Sequence, residues 1–159
     1  MVCSFTGHRI IESESRAALV DLLSRAVEYA YGEGCRDFIC GGAIGFDTLA
    51  AKEVIRFRMT HKDARLILAL PCVEQDAKWS DSQKNAYNFT LSSADEIIYV
   101  SDSYTKTCMA ERNRYLAERC DILIGYAGRM SSGAGQTLRM AEKLGKRIYN
   151  LYQSVRKES

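Results

Sequence analysis

Short apolar segments alternate with amphipathic helical segments along the whole chain, and this alternation restricts the fold more than any other feature of the sequence. The predicted strands are 2–5, 37–40, 65–70, 96–100, 121–126 and 147–151, and the predicted helices are 13–31, 46–59, 83–93, 108–119 and 136–144. Strands that are separated by helices pair in parallel through crossover connections, which place helices on both faces of the sheet. The sequence therefore predicts a doubly wound, three-layer α/β fold with a mainly parallel sheet of about six strands.

Length and charge fit one such domain spanning 1–159 and exclude other classes of protein. The 22 basic and 20 acidic residues give a net charge of +2, and no basic stripe indicates binding to nucleic acid. The longest aliphatic run, 66–70, is too short to span a bilayer, and the N-terminus shows no signal-peptide pattern. We therefore expect a cytoplasmic protein that binds neither a membrane nor nucleic acid.

The cysteines and histidines do not form a metal-binding pattern. The six cysteines include no CxxC pair, and only two histidines, His8 and His61, are present. We expect reduced cysteines that pack in the interior, and we expect no bound metal and no required cofactor.

Eight of the eleven glycines lie at or just after the ends of predicted strands, where a doubly wound sheet binds its ligands. The run Gly41-Gly42-Ala43-Ile44-Gly45-Phe46-Asp47 follows the second strand and begins a helix. Because the amides at a helix start bind phosphate, we expect Gly41, Gly42, Gly45 and Asp47 at a ligand site. The spacing matches neither the dinucleotide fingerprint nor the P-loop motif. The alternative is a tight strand-to-helix turn that binds nothing.

Two further segments are predicted to lie beside this run. The segment 131–137 follows the fifth strand and offers a second anchoring point through Gly133, Gly135 and Thr137, with a flexible surface loop as the alternative. The first strand ends in Thr6-Gly7-His8-Arg9, which adds an imidazole and a guanidinium to the same edge of the sheet. Arginine suits phosphate capture and histidine suits hydrogen bonding or proton transfer, although a purely structural histidine is the alternative.

The helix predicted at 108–119 presents Met109, Arg112 and Asn113 on one face, because residues three or four positions apart lie on the same side of a helix. Arg112 and Asn113 are therefore candidate ligand-binding residues, and a solvent-exposed charge is the alternative for Arg112. Trp79, with Tyr87 and Tyr104, is a candidate for stacking on a base, with packing in the core as the alternative.

In their order and spacing, these segments resemble the YpsA-type branch of the SLOG superfamily, a Rossmann-like group that also includes the LOG phosphoribohydrolases and DprA. The resemblance rests on Thr6-Gly7-His8-Arg9, Gly41 to Asp47, Gln75, Lys78-Trp79-Ser80, Ala94-Asp95, Tyr99-Val100-Ser101, Tyr104, Cys108, Arg112-Asn113 and Asp121. It implies a Rossmann-like fold, a pocket for a nucleotide or a nucleotide-derived small molecule, and a homodimer.

The segment Met109-Ala110-Glu111-Arg112-Asn113 is also similar to the LOG motif Met-x-x-Arg-Lys, which implies a catalytic role for Arg112. LOG enzymes follow it with PGGxGTxxE, whose glutamate assists cleavage of the N-glycosidic bond. Here Leu138 and Arg139 stand where that carboxylate is expected, so Asp47 and Glu111 are the candidates to replace it.

The residues and the resemblance together favour binding of a nucleotide or a nucleotide-derived molecule at the carboxyl ends of the strands, with a sensor role as one form of this function. The alternative is a LOG-like hydrolase that splits nucleoside 5′-monophosphates into free base and ribose phosphate. Single-stranded DNA binding of the DprA kind is disfavoured by the near-neutral charge.

Overall fold

The computed structural model describes residues 1–158, in which six strands alternate with six α-helices. The strands are β1 (Val2–Gly7), β2 (Asp37–Cys40), β3 (Arg65–Leu70), β4 (Glu96–Tyr99), β5 (Ile122–Tyr126) and β6 (Arg147–Asn150). The helices are α1 (Arg16–Gly32), α2 (Phe46–Arg58), α3 (Asp81–Ser93), α4 (Cys108–Arg119), α5 (Gly133–Lys143) and α6 (Tyr152–Glu158), and a 3-10 turn at Ser13–Ser15 precedes α1.

All six strands are parallel, and their order in the sheet is β4-β3-β2-β1-β5-β6. The chain adds strands on one side of β1 as far as β4 and then crosses to the other side of β1 to form β5. The register of β1 and β5 runs from Cys3 opposite Ile122 to Gly7 opposite Tyr126, so their carboxyl ends meet. Doubly wound sheets bind ligands in the crevice at such a switch point. The predicted fold class is confirmed.

Helices cover both faces of the sheet and form the outer two of three layers. On one face Phe5 of β1 packs in a large cluster with Leu23 of α1 and Phe46 of α2. On the other face Leu123 of β5 packs with Leu138 of α5. Because the inner strands are buried on both faces, they lack polar alternation and appear in the sequence as continuous apolar runs.

Helices α1, α2 and α3 match the prediction to within three residues at each end, whereas α5 and α6 differ from it in ways that affect the pocket. Helix α5 begins at Gly133, where the sequence predicts a loop as far as 135, because the Ser132 side chain caps it by accepting a hydrogen bond from the Gly135 amide at 3.0 Å. Much of the predicted glycine segment is therefore the first turn of a helix. Helix α6 is not predicted at all. It is held by Leu151 and Val155, which are buried in the large cluster, and not by any strong helical pattern of its own.

The six cysteines all have free thiols and are buried, in agreement with the packing role expected for them. Within residues 1–158, no helix is long and apolar enough to cross a membrane. In the same part of the chain, no group of three or more histidine, cysteine, aspartate or glutamate side chains is arranged to hold a metal ion.

Candidate functional site

A pocket of about 600 Å³ opens at the switch point between β1 and β5. The ends of β1 and β5, the start of α2, one face of α4, the start of α5 and the first residue of α6 all contribute to its wall. Eight of the residues selected from the sequence line it, namely Thr6, Gly7, His8, Arg9, Asp47, Arg112, Asn113 and Gly133. Five do not: Gly41, Gly42, Gly45, Gly135 and Thr137.

The amino end of α5 forms one side of the pocket through Ser132, Gly133 and Ala134. The Gly135 amide is used by the Ser132 cap, but within residues 1–158 the amides of Gly133 and Ala134 donate no hydrogen bond. Free amides in the first turn of a helix carry partial positive charge and suit an anionic group. This side of the pocket is therefore suited to bind an anionic group.

Two exposed arginines, Arg9 and Arg129, line the same pocket. The carbonyl of Arg129 accepts hydrogen bonds from the amide and the hydroxyl of Ser132, so Arg129 lies close to the start of α5. Neither arginine forms an ion pair or a side-chain hydrogen bond with another residue in the described part of the chain. A guanidinium that is not paired within the protein remains available to a phosphate or a carboxylate. The sequence interpretation included Arg9 but missed Arg129, although its place directly after β5 could have signalled it.

His8 links the two strand ends that meet at the switch point. Its Nε2 accepts a hydrogen bond from the backbone amide of Gly128 at 2.8 Å, while its own amide donates to the carbonyl of Tyr126 at 3.0 Å. Burial, with a smaller contribution from the positive charge of Arg129, lowers the pKa of His8 below its ordinary value of 6.5. A neutral ring whose Nε2 accepts carries its proton on Nδ1, so Nδ1–H is the donor that remains on the His8 ring.

Asp47 lies in the first turn of α2 and only 5% of its surface is exposed. Its Oδ2 accepts a hydrogen bond from the amide of Ala43 at 3.1 Å, and Oδ1 has no partner within residues 1–158. Burial raises the pKa of Asp47, and this effect is opposed by Arg112, by the Ala43 hydrogen bond and by Arg9. A buried carboxyl group with an unused acceptor beside a pocket is typical of a functional site.

Arg112 is also 5% exposed, so the alternative of a solvent-exposed helix charge is wrong. The side chain crosses from α4 to the loop after β2, where Nη1 donates to the carbonyl of Gly41, and Nε donates to Oδ1 of Asn113 at 3.0 Å. Burial lowers the pKa of Arg112, and the negative charge of Asp47 acts in the opposite direction. Two of its five N–H groups are thus occupied within the protein.

The loop from Gly41 to Gly45 shapes the pocket from behind. The Ala43 amide is used by Asp47 and the Phe46 amide donates to the carbonyl of His8 at 3.0 Å, so this helix start has fewer free donors than α5. Gly45 has φ of +79°, and a side chain there would overlap the carbonyl of Arg9. Gly45 therefore permits close packing against the segment that follows β1.

The aromatic residues proposed for base stacking lie elsewhere. Trp79 packs edge-on against Tyr87, with 5.1 Å between ring centroids, and both contact the large cluster. Tyr104 is 70% exposed and, like the other two, does not line the pocket. The aromatic ring that does line it is Tyr152 of α6, which sequence reasoning missed because α6 itself gives no clear signal.

Neither the two residues at the position of the LOG glutamate nor Glu111, one of its two possible substitutes, lines the pocket. Leu138 is buried, Arg139 is exposed, and neither lines the pocket. Glu111 is exposed and accepts a hydrogen bond from Thr107 at 3.0 Å outside the pocket. The pocket carboxylates are Asp47 and the exposed Glu12, which the sequence interpretation did not include.

A doubly wound parallel sheet with its pocket at the β1–β5 switch point defines a protein of the Rossmann-like α/β class. Within this class, residues 7–153 match the sequence model of the YpsA family, described as the YspA SLOG family. The chain belongs to this family, which confirms the resemblance found in the sequence.

Two relatives illustrate the similarity in sequence. The SPbeta prophage-derived protein YoqJ of Bacillus subtilis is 31% identical over 129 residues, which cover 72% of this chain and 75% of that protein. A UPF0398 protein of Halalkalibacterium halodurans is 30% identical over 98 residues, which cover 58% of this chain and 50% of that protein. The chain thus corresponds to about half the length of the second relative.

Solved structures of DNA processing protein A (DprA) share the fold. The Streptococcus pneumoniae protein superimposes with a TM-score of 0.63 at 16% identity, covering 92% of this chain and 48% of that one. The Helicobacter pylori protein, for which a single-stranded DNA binding mode has been described, gives a TM-score of 0.66 at 16% identity and covers 99% of this chain and 72% of that one. At this identity the likeness concerns the fold alone.

Proposed function

We propose that the pocket binds a nucleotide or a nucleotide-derived small molecule, with a phosphate group at the amino end of α5. The observation that carries this proposal is that the free amides of Gly133 and Ala134 share one pocket with the unpaired side chains of Arg9 and Arg129. Amides at a helix start and guanidinium groups are complementary to the same anion.

The remainder of the pocket suits the organic part of such a ligand. Its volume of about 600 Å³ is within the range of small-molecule sites. Met109 and Leu116 of α4 supply apolar surface, while Asp47 and Asn113 supply polar groups beside them. Apolar walls with a few polar groups are typical of pockets that orient a small ligand.

Isothermal titration with AMP, ADP, ADP-ribose and NAD tests this proposal. We compare the wild-type protein with Arg129→Gln, and with Arg139→Gln as a matched control on the exposed side of α5, outside the pocket. Loss of a guanidinium contact to phosphate is expected to weaken binding by about tenfold in Arg129→Gln. The control is expected to bind like the wild type. Absence of binding to every compound at millimolar concentration contradicts the proposal.

Single-stranded DNA is the competing ligand in the same experiment. The likeness to H. pylori DprA motivates it, while the net charge of +2 favours a small anion. A fluorescent oligonucleotide is titrated at two salt concentrations. Tight, strongly salt-dependent binding of the oligonucleotide without binding of any nucleotide would replace the small-molecule proposal with a DNA-binding one.

Hydrolysis of a nucleoside 5′-monophosphate is the second candidate function, and the position of Asp47 favours it. Its carboxyl group is the buried acid of the pocket, next to Arg112, and burial raises its pKa. Such a group suits proton transfer or stabilisation of developing positive charge on a sugar. AMP is incubated with wild-type protein and with Asp47→Ala, and free adenine is measured by chromatography. Equal release by both, or release by neither, rejects this candidate.

A further inference from the structure

The side chain of Asn113 on α4 lies between the guanidinium of Arg112 and the amino end of α5. Helices α4 and α5 pack against one another through Ala117 and Leu138, which belong to the same buried cluster. A Cβ atom on Gly133, the first residue of α5, would stand 3.7 Å from Nδ2 of Asn113. Asn113 and Gly133 both line the pocket, so this Nδ2 group lies in the pocket wall at the start of α5.

Arg112 sets the orientation of the Asn113 amide. Its Nε donates a hydrogen bond to Oδ1 of Asn113 at 3.0 Å. Because a guanidinium has five donors and no acceptor, only the oxygen of the amide can face it favourably. Arg112 is 5% exposed and also donates to the carbonyl of Gly41, so it has little freedom to turn away. Nδ2 of Asn113 is therefore directed to the opposite side, where Gly133 lies.

The polar groups that meet at the start of α5 are donors. Within residues 1–158, Nδ2 of Asn113 donates no hydrogen bond, and the amides of Gly133 and Ala134 donate none either. Polar groups that are withdrawn from water are nearly always hydrogen-bonded, so these donors require an acceptor. The oxygen atoms of a phosphate group accept from several donors at once and also suit the positive end of a helix.

We propose that Asn113 donates a hydrogen bond from Nδ2 to the phosphate group of the ligand, and that Arg112 is the positioning residue that holds the amide in this orientation. The inference rests on the proposed function, because it names a side-chain donor for the phosphate at α5. Arg112 acts on the ligand through Asn113 in this arrangement, whereas the LOG motif implies a catalytic role for it.

Titrations of Asn113→Ala and Asn113→Asp test the donor role, with whichever of AMP, ADP, ADP-ribose and NAD binds the wild type most tightly. Asn113→Ala removes the donor and is expected to weaken binding about tenfold. Asn113→Asp keeps the shape and an acceptor for Arg112 but turns an oxygen toward the phosphate, so a loss of about a hundredfold is expected. Arg114→Ala, on the same helix but exposed and outside the pocket, is the control and should bind like the wild type.

A double-mutant cycle tests the role of Arg112. Arg112→Lys keeps the positive charge but has no Nε–H group, so the Asn113 amide is no longer held in one orientation. In this background Asn113→Ala is expected to weaken binding less than about twofold, and a full tenfold effect contradicts the positioning role. If Arg112→Lys does not fold, NMR of the Arg112 Nε–H group replaces it. This hydrogen should exchange faster in Asn113→Ala than in the wild type, and an unchanged rate contradicts the contact.

The outcomes separate this inference from the proposed function. If Asn113→Ala binds as tightly as the wild type while Arg129→Gln binds more weakly, the inference falls and the proposed function stands. If Asn113→Asp binds like the wild type and only Asn113→Ala is impaired, Asn113 serves as an acceptor for Arg112 alone and the donor role is rejected. If the wild type binds none of the four compounds, both fall.

Discussion

The backbone amide of Gly128 donates a hydrogen bond to Nε2 of His8 at 2.8 Å and thereby joins the ends of β5 and β1. The loop that begins at Gly128 also carries Arg129 and leads to the start of α5. A histidine side chain therefore fixes the part of the pocket that is proposed to hold phosphate. Because the bond needs an unprotonated Nε2, it exists only while His8 is neutral.

We expect acid to weaken the folded state through His8. The pKa of His8 is lowered in the folded protein, so as the pH falls the unfolded chain takes up the proton first. The stabilisation is complete above the unfolded pKa of about 6.5 and decreases as the pH falls from there through the folded pKa. Urea unfolding at pH 8, 7, 6 and 5 measures this decrease in the free energy of unfolding. His8→Gln, which offers an oxygen acceptor at every pH, is expected to show a shallower decrease, and an identical decrease contradicts the assignment.

Three glycine substitutions are expected to have different effects on stability. Gly45→Ala combines a φ of +79° with overlap of the Arg9 carbonyl, so it should lower the free energy of unfolding by about 3 kcal/mol. Gly145→Ala has a φ of +76° but open space around it, and should cost about 1 kcal/mol. Gly32 is the last residue of α1 and has neither a positive φ nor a close neighbour. Gly32→Ala should therefore raise the free energy of unfolding by roughly 0.5 kcal/mol. Urea unfolding checks the order, and equal effects at 45 and 145 would contradict the role of the overlap.

The fold could be predicted because its strongest determinants are local. The run Leu66 to Leu70 is buried on both faces of the sheet, and a short apolar run between two helical patterns has few other interpretations. The position of the pocket followed from the general rule for strand ends. The start of α5 at Gly133 could not be predicted from the sequence, because serine and glycine are as common in loops as at a capped helix start.

The chemistry of the site was harder to predict because it depends on distant contacts. A charged residue on an amphipathic helix is usually exposed, and Arg112 is buried only because the fold brings Gly41 and Asp47 to it. The residues between Gly41 and Gly45 resemble a phosphate-binding loop, yet Asp47 uses one of the amides that a phosphate would need. Neither contact leaves a periodic pattern in the sequence.

Asp47→Asn is expected to raise the free energy of unfolding at pH 7, because burial raises the pKa of Asp47 in the folded protein. Because the folded pKa of Asp47 is raised, the stability of the wild type decreases as the pH rises from about 3.8 through that folded value. The neutral amide avoids this loss while it still accepts from the Ala43 amide. The gain should therefore vanish near pH 4. Asp102→Asn, in an exposed loop, is the control and should show no gain. A destabilised Asp47→Asn would contradict the burial argument.

Helix α6 is expected to stabilise the phosphate part of the pocket through the ring of Tyr152. The ring packs directly on Gly128, where any side chain would overlap it, and its centroid lies 5.1 Å from that of Tyr126. Among the described residues, its hydroxyl takes part in one side-chain hydrogen bond, which it accepts from Arg156 at the surface at 3.3 Å. Tyr152→Ala should therefore lower the free energy of unfolding by about 2 kcal/mol. Tyr152→Phe should change it by less than about 0.5 kcal/mol.

Hydrogen exchange at the Gly128 amide separates this packing role from a general loss of stability. In Tyr152→Ala the amide should exchange faster than amides in the centre of β5, because the ring no longer covers its bond to His8. In Tyr152→Phe the exchange rate should match that of the wild type, since the ring remains. An equal loss of stability in both variants would assign the effect to the hydroxyl. Uniform acceleration along β5 in Tyr152→Ala would show that α6 stabilises the whole sheet and not this loop in particular.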